Sequence, residues 1–251
     1  MKALILAAGY ATRLYPLTKN LPKQLLDVGE KKMVEHIIHK IEEVDEINEI
    51  IIITNNKYHG QFVEWKKNHE CDKPITLINN NTNSNEERLG AVGDMHFAIK
   101  DQNIDDDILI VGGDNLFEFS LLSIMNMFRE KKAPVVAARD LGDPNKLAKK
   151  FGTIEIDDNM KIIGFEEKPE APRSALASTC IYLYTKEDIR ELENLITKGE
   201  TPDNTGDFLR HVINKRHVYC YSFSERWFDI GSPEELKEVH ELYGGNNGPS
   251  A

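Results

Sequence analysis

The chain has 251 residues, 40% hydrophobic and 8% aromatic, and its 31 Lys+Arg against 42 Asp+Glu leave a formal net charge of −11. That is enough apolar material for a packed core, which excludes a disordered chain; with no Lys/Arg run longer than two, the charge balance argues against a nucleic-acid partner. No apolar stretch reaches the about 20 residues of a membrane span, no secretory signal pattern opens the chain, and Cys71, Cys180 and Cys220 form no CxxC pair, so a cytoplasmic chain with reduced thiols is expected.

Lys2 to Ala8 is a near-continuous apolar run closed by Gly9, the pattern of a strand buried on both faces of a parallel sheet. A polar loop punctuated by Pro16 and Pro22 follows. Met33 to Ile41 repeats apolar residues at helical spacing, and Glu49 to Thr54 is a second apolar run rich in β-branched residues, which together make a βαβ opening. The alternation continues through a helix at Tyr58 to Lys67, a strand at Pro74 to Ile78, a helix at Gly90 to Ile99, a strand at Asp107 to Val111, a helix at Phe119 to Glu130 and a strand at Ala133 to Ala138. This rhythm predicts an α/β fold with a doubly wound, mostly parallel Rossmann-like sheet, whose ligands sit beyond the carboxyl ends of the strands. The loops after Ala8, Thr54 and Val111 are therefore the candidate ligand loops.

From Gly152 the rhythm changes to short strands, Gly152 to Ile156 and Lys161 to Phe165, joined by the turn Asp157-Asp158-Asn159. A strand at Leu176 to Tyr184, helices at Lys186 to Thr197 and Asp207 to Ile213, a strand at His217 to Ser222 and a closing helix from Ser232 to Tyr243 complete the chain. Ser232, Pro233 and Glu235 supply an N-cap, a proline at N1 and an acid at N3 of that helix. The expectation is one domain over 1–243, made of a core (1–140) and a β-containing lobe (141–243) that covers one end of the sheet. The Asn-rich stretch Asn79 to Asn85 reads as a loop and Gly244 to Ala251 as a flexible tail.

The most informative segment is Leu6-Ala7-Ala8-Gly9-Tyr10-Ala11-Thr12-Arg13-Leu14-Tyr15-Pro16-Leu17-Thr18, followed by Pro22-Lys23-Gln24-Leu25. Small residues after the first strand let backbone N–H groups approach a phosphate chain. Arg13 and Lys23, projecting from that loop, would supply fixed positive charge. A P-loop NTPase is disfavoured by the lack of G-x-x-x-x-G-K-[ST]; an NAD enzyme is disfavoured by the missing third glycine and by amides, Asn55 and Asn56, where a ribose-binding acid belongs. Gly112-Gly113-Asp114-Asn115 places an acid just past a buried strand on the same sheet edge, where a carboxylate suits Mg²⁺. Asp229, in Trp227-Phe228-Asp229-Ile230-Gly231, is a second candidate ligand. His36 and His39 on one helix, Trp65 beside Lys66 and Lys67, and Asp105 to Asp107 read as a helix face, ring packing and a solvated turn.

This set resembles the sugar-1-phosphate nucleotidyltransferases, or nucleotide-sugar pyrophosphorylases. Their opening pattern, L-A-A-G-x-G-T-R-L-x-P-L-T followed by P-K-x-L, is matched except for Ala11 in place of the second glycine. Gly113-Asp114-Asn115, Glu167-Lys168-Pro169 and the W-x-D-I-G of Trp227 to Gly231 follow in the family's order, so that the resemblance covers about residues 1 to 243. It implies an Mg²⁺-dependent enzyme that joins an NTP to a hexose 1-phosphate. The backbone around Ala8 and Gly9 would hold the nucleotide, Arg13 and Lys23 would neutralise the triphosphate, Gly90 would lie closest to the base, and Asp114 and Asp229 would bind the metal. On the sugar side, Gly152 would approach the ring, Glu167 would accept from hydroxyls, and Lys168 would grip the sugar phosphate. The core and lobe would then be the nucleotide and sugar halves.

Two departures matter. Ala11 adds a methyl that a backbone with φ below zero would tolerate, so that activity is expected to survive. Ser178-Thr179-Cys180 stands where many members read N-A-G, which leaves Ser178 as the hydroxyl donor toward the sugar. Asp114-Asn115-Leu116-Phe117 resembles the thymidylyltransferase branch, although the loop Asn83 to Arg88 lacks that branch's glutamine-proline segment. Glucose 1-phosphate with dTTP or UTP is the favoured pair. A cytidylyltransferase acting on phosphocholine or another non-sugar phosphate, or a non-catalytic nucleotide-sugar sensor, are the alternatives; the presence of Arg13, Lys23, Asp114 and Asp229 argues against a sensor. The chain is shorter than the thymidylyltransferases and is expected to be without their extra C-terminal helices, so their tetramer is not assumed and a homo-oligomer stays open.

Overall fold

The computed structural model describes residues 1–200 and 202–244, so the expected tail lies outside the described residues from 245 onward, while Gly244 closes the last helix. In chain order the elements are β1 (Lys2–Ala7), β2 (Asp27–Val28), β3 (Lys31–Lys32), α1 (Met33–Glu42), β4 (Ile50–Thr54), α2 (Asn56–Lys67), β5 (Ile75–Asn79), α3 (Gly90–Asp101), β6 (Ile108–Gly112) and β7 (Asn115–Phe117). Then come α4 (Leu121–Lys131), β8 (Val135–Asp140), β9 (Thr153–Ile156), β10 (Ile162–Glu166), β11 (Leu176–Tyr184), α5 (Lys186–Thr197), α6 (Thr205–Ile213), β12 (Tyr219–Phe223), β13 (Trp227–Asp229) and α7 (Pro233–Gly244).

β5, β4, β1 and β6 pair in parallel, in that order. β11 lies antiparallel between β6 and β8, and β12 adds to β8 in parallel. The side-chain period of two sorts the apolar runs onto two faces. Ala3, Ile5, Ala7, Ile50 and Ile52 pack with α1, α2 and α4 on one side; Leu4, Ile51 and Ile53 pack with α3, α5 and α6 on the other. All five residues of β4 and of β6 are buried, which is why these strands read as unbroken apolar runs.

Two irregular features build the ligand end. β11 is longer than its neighbour β6: Ile181–Tyr184 pair with β6, while Leu176 and Ala177 run past its end and pair on that side with β9. The β9–β10 hairpin thus stands beyond the carboxyl end of β6, while β9 to β12 all join the same nine-stranded sheet as β1 and β6. The register of β11 shifts between Ser178 and Tyr182, where Cys180 takes φ 55° and Thr179 turns inward to donate to the Ala137 carbonyl at 2.8 Å. The second feature is the antiparallel ribbon of β7 and β13, which sets Asp229 opposite Asn115 across a separation of more than a hundred residues.

Candidate active site

The turn after β6 is built by two glycines. A Cβ at Gly113 would lie 2.6 Å from the Leu6 carbonyl oxygen, to which the Gly113 N–H donates at 2.9 Å; one at Gly112 would lie 2.6 Å from Asn115 Nδ2. Without side chains there, the chain turns tightly against the end of β1 and delivers Asp114 directly above it. Lys23 meets it: Nζ lies 2.8 Å from Asp114 Oδ2 and 2.6 Å from the Ile230 carbonyl oxygen. Ile230 N–H donates in turn to the Asp114 carbonyl at 3.2 Å. One lysine therefore joins the loop after β1, the turn after β6 and the end of β13.

Lys23 does not project from its loop, as the sequence suggested. It opens a short 3₁₀ turn, Lys23–Leu25, and only 8% of it is exposed, because its ammonium is paid for by Asp114 inside the cleft. Arg13 is the opposite: it is exposed, and no ion pair or hydrogen bond holds its guanidinium among the described residues. Its loop is anchored from below, where the Thr18 hydroxyl donates to the Ala11 carbonyl at 2.7 Å and the Tyr58 hydroxyl to the Thr18 carbonyl at 2.5 Å. Ala11 itself sits at φ 46°, ψ 43°. The expectation of φ below zero is thus wrong: two hydrogen bonds onto its carbonyl, from the Thr18 hydroxyl and Leu14 N–H, go with a left-handed conformation that glycine adopts more cheaply.

The electrostatics separate the two acids. Burial works to raise the Asp114 carboxyl, but the Lys23 ammonium and the hydrogen bonds it receives outweigh this and hold it below its usual range. Asp229 opens to solvent on one side; desolvation on the other, and then the neighbouring Asp114 carboxylate, push it up to about 6. Asp114 takes the Lys23 ammonium, and no ion pair holds Asp229 among the described residues, so the acid pair leaves charge for a further cation to neutralise. They offer hard oxygen ligands but no closed cage, since no cluster of three or more His, Cys, Asp or Glu suited to a metal occurs among the described residues. That donor set fits Mg²⁺, which keeps waters and takes substrate phosphate oxygens alongside one or two carboxylates.

A cavity lined in part by Asp229 collects the residues that the sequence assigned to the sugar: Gly152, Glu167, Lys168 and Ser178 line it together with Tyr182 and Thr205. A Cβ at Gly152 would lie 2.9 Å from the Phe165 ring and 3.1 Å from Glu167 Oε2, so that glycine there keeps Glu167 in place. Burial raises the Glu167 carboxyl, and Lys168, at φ 45°, holds its Nζ 4.0 Å from Glu167 Oε1. Ser178 Oγ lies 3.2 Å from the Tyr182 hydroxyl, which is 3.1 Å from Thr205 Oγ1. In the loop after β1, a Cβ on Gly9 would meet nothing within 4 Å, leaving its backbone open to a ligand. Ala8 is buried, its carbonyl accepting from Asn55 Nδ2 at 2.9 Å. Gly90 opens α3 at φ +76°, and the space a side chain would take is filled by Asp203.

The sequence model of the family described as Nucleotidyl transferase matches residues 2–245. The chain belongs to the nucleotidyl transferase family. Among similar proteins, the bifunctional protein GlmU of Methanocaldococcus jannaschii is 29% identical over 241 residues, covering 96% of this chain and 54% of that protein. A Sulfolobus acidocaldarius protein bearing the name mannose-1-phosphate guanyltransferase is 26% identical over 242 residues, covering 96% and 62%. The chain thus spans little more than half the length of these relatives. A Bacillus anthracis structure named for glucose-1-phosphate thymidylyltransferase superposes with TM-score 0.83 at 26% identity over 100% of this chain and 98% of that one. A UDP-glucose pyrophosphorylase complexed with UDP-glucose shares the fold, with TM-score 0.79 at 19% identity over 96% and 97%. No helix among the described residues is long and apolar enough to cross a membrane.

The fold also gives positioning roles to Asn55 and Asn115, which the sequence named without a role, and to Asn80 and Asp94, which it did not single out. Asn55 both caps α2, accepting from Tyr58 N–H at 3.0 Å, and ties the second ligand loop to Ala8. Asn115 accepts the Trp227 Nε1–H at 2.7 Å and donates to Asp114 Oδ1 at 2.9 Å, which locks the ribbon to the acid. Beyond β5, Tyr10, Thr82, Asn80 and Asp94 form a buried chain of hydrogen bonds between the first loop and α3. The only signal for Asn55 and Asn80 was their place just after strands; nothing in the sequence marked Asp94.

Proposed function

We infer that this chain transfers a nucleotidyl group from an NTP to a hexose 1-phosphate, releasing pyrophosphate, with dTTP or UTP and glucose 1-phosphate as the favoured pair. The observation that carries this reading is the Lys23–Asp114 contact, which joins the loop after β1 to an acid whose neighbour Asp229 lines the cavity of Glu167 and Lys168. Relatives named for thymidylyl and guanylyl transfer to sugar 1-phosphates support the reaction class.

No protein nucleophile is required. A sugar-phosphate oxygen attacks the α-phosphorus, a P–O bond forms there, and the bond to the bridging oxygen breaks as pyrophosphate leaves. The chain's task is to bring two anions together in line and to stabilise the shifting charge. Lys23 retains a third N–H beyond its two bonds to Asp114 and Ile230 and can offer it to a phosphate. Arg13, exposed on the anchored loop, reaches the triphosphate from the solvent side. Glu167 accepts from sugar hydroxyls, Ser178 donates to one, and Lys168 holds the sugar phosphate. Ala8, Gly9 and Gly90 present backbone to the nucleotide. Mg²⁺ held by Asp114 and Asp229 supplies neutralisation of phosphate charge when bound. Residues 1–140 serve the nucleotide and 141–243 the sugar.

Pyrophosphate release from dTTP, UTP, GTP, CTP and ATP against several sugar 1-phosphates and phosphocholine, with Mg²⁺ and with EDTA, tests the reading. A Mg²⁺-dependent signal for one nucleotide and sugar pair is expected; silence across the matrix, or a signal with phosphocholine alone, overturns it.

A further inference from the structure

Both oxygens of Asp114 are already engaged inside the protein. Oδ1 accepts from Asn115 Nδ2 at 2.9 Å and Oδ2 takes the Lys23 ammonium at 2.8 Å. Asn115 is not free to turn away, because its own Oδ1 accepts the Trp227 Nε1–H at 2.7 Å and so fixes Nδ2 toward Asp114. Lys23 is the movable partner. Its charge rides on a flexible four-carbon stem, and the Ile230 carbonyl, 2.6 Å away, gives the ammonium an acceptor that does not depend on Asp114. The charge count points the same way: Asp114 and Asp229 balanced by Lys23 leave one negative charge, whereas a divalent cation added to that set would put three positive charges against two negative in a confined cleft.

Resting on the nucleotidyltransferase reading, we propose that Lys23 is an exchangeable cation at the metal site, which competes with a divalent ion for Asp114 and yields it when a triphosphate gives the ammonium another acceptor. Lys23 then does more than neutralise phosphate: it withholds the metal site from free cation and couples metal loading to nucleotide arrival. Such a coupling is reciprocal and typically amounts to about 5–150-fold in affinity.

The test is Mn²⁺ binding in the absence of nucleotide, followed by electron paramagnetic resonance of the free ion. Lys23→Gln is expected to bind Mn²⁺ about tenfold more tightly than wild type, Lys23→Arg to bind as wild type does, and Asp114→Asn to lose the site. Equal or weaker Mn²⁺ binding by Lys23→Gln, with circular dichroism showing an intact fold, overturns the proposal. Should that variant not fold, acylation of Lys23 in wild type, read by mass spectrometry, replaces it: Mn²⁺ alone must raise the labelling rate, and an unchanged rate at saturating Mn²⁺ is the contrary result. Neither arm uses turnover, so a failure here leaves pyrophosphate release standing, and a failure there leaves the exchange to be judged by its own data.

Discussion

Asp94 gives the sharpest stability prediction. It lies on α3, only 8% exposed, with Asn80 Nδ2 at 2.7 Å from Oδ1 as its one side-chain hydrogen-bond donor among the described residues, and burial pushes its carboxyl from 3.8 up to about 6. Between these values the unfolded chain has lost its proton while the folded chain keeps it, so the unfolded state binds fewer protons and stability falls as pH rises through that window. The displacement corresponds to about 3 kcal/mol, fully felt above pH 6 and absent below 3.8. Asp94→Asn keeps an acceptor for Asn80 and carries no charge at any pH. The variant's stability relative to wild type should therefore grow by about 2.5 kcal/mol between pH 4 and pH 7.5, or roughly 5 to 10 °C in Tm for a chain of this size. Urea unfolding of both proteins across that range measures the difference directly, and other titrating groups cancel in it. A difference that stays constant within about 0.5 kcal/mol would refute the assignment of an uncompensated buried acid.

Other substitutions probe the cleft. Ala11→Gly removes the cost of a left-handed alanine, about 1–2 kcal/mol, against about 0.5–1 kcal/mol of added chain entropy, so differential scanning calorimetry should show a Tm no lower than wild type; a clear drop would contradict the left-handed assignment. Gly90→Ala combines φ +76° with a Cβ 2.3 Å from Asp203 Oδ1 and 2.7 Å from its carbonyl oxygen. Isothermal titration should show nucleotide affinity at least about tenfold weaker, from a distortion worth about 1–3 kcal/mol, and unchanged binding would separate this turn from the nucleotide. Trp227→Phe deprives Asn115 Oδ1 of its donor, costing about 1–3 kcal/mol. It should raise the Mg²⁺ concentration needed for half-maximal turnover; an unaltered requirement would show that the ribbon does not hold Asp114.

Much of this architecture is readable in the sequence because its signals are local. The strand at Leu176–Tyr184 and the helix at Lys186–Thr197 are found at both predicted ends, and the unbroken apolar runs of β1, β4 and β6 mark the buried parallel strands. What escaped is long-range. Three-residue strands such as Asn115–Phe117 and Trp227–Asp229 are too short to show alternation, yet their pairing carries Asp229 to Asp114. The antiparallel insertion of β11 between β6 and β8 has no local signature either. Lys23 reads as a loop cation until its partner, ninety-one residues away, is in place. Resemblance to a family supplied the candidate roles of Glu167, Lys168 and Ser178, and the fold places all three around one cavity. Ala11 was misjudged because its conformation depends on Thr18, whose bond to the Ala11 carbonyl follows no pattern visible in the sequence.

The central claim is that one site, centred on Asp114, performs nucleotidyl transfer. Steady-state pyrophosphate release by wild type and Asp114→Asn, each with Mg²⁺, nucleotide and sugar 1-phosphate, tests it most directly. Wild-type turnover should require all three, and the variant should lose at least about a hundredfold in kcat while its circular dichroism stays native. Equal turnover in the two proteins, or release that ignores the sugar phosphate, would contradict the account.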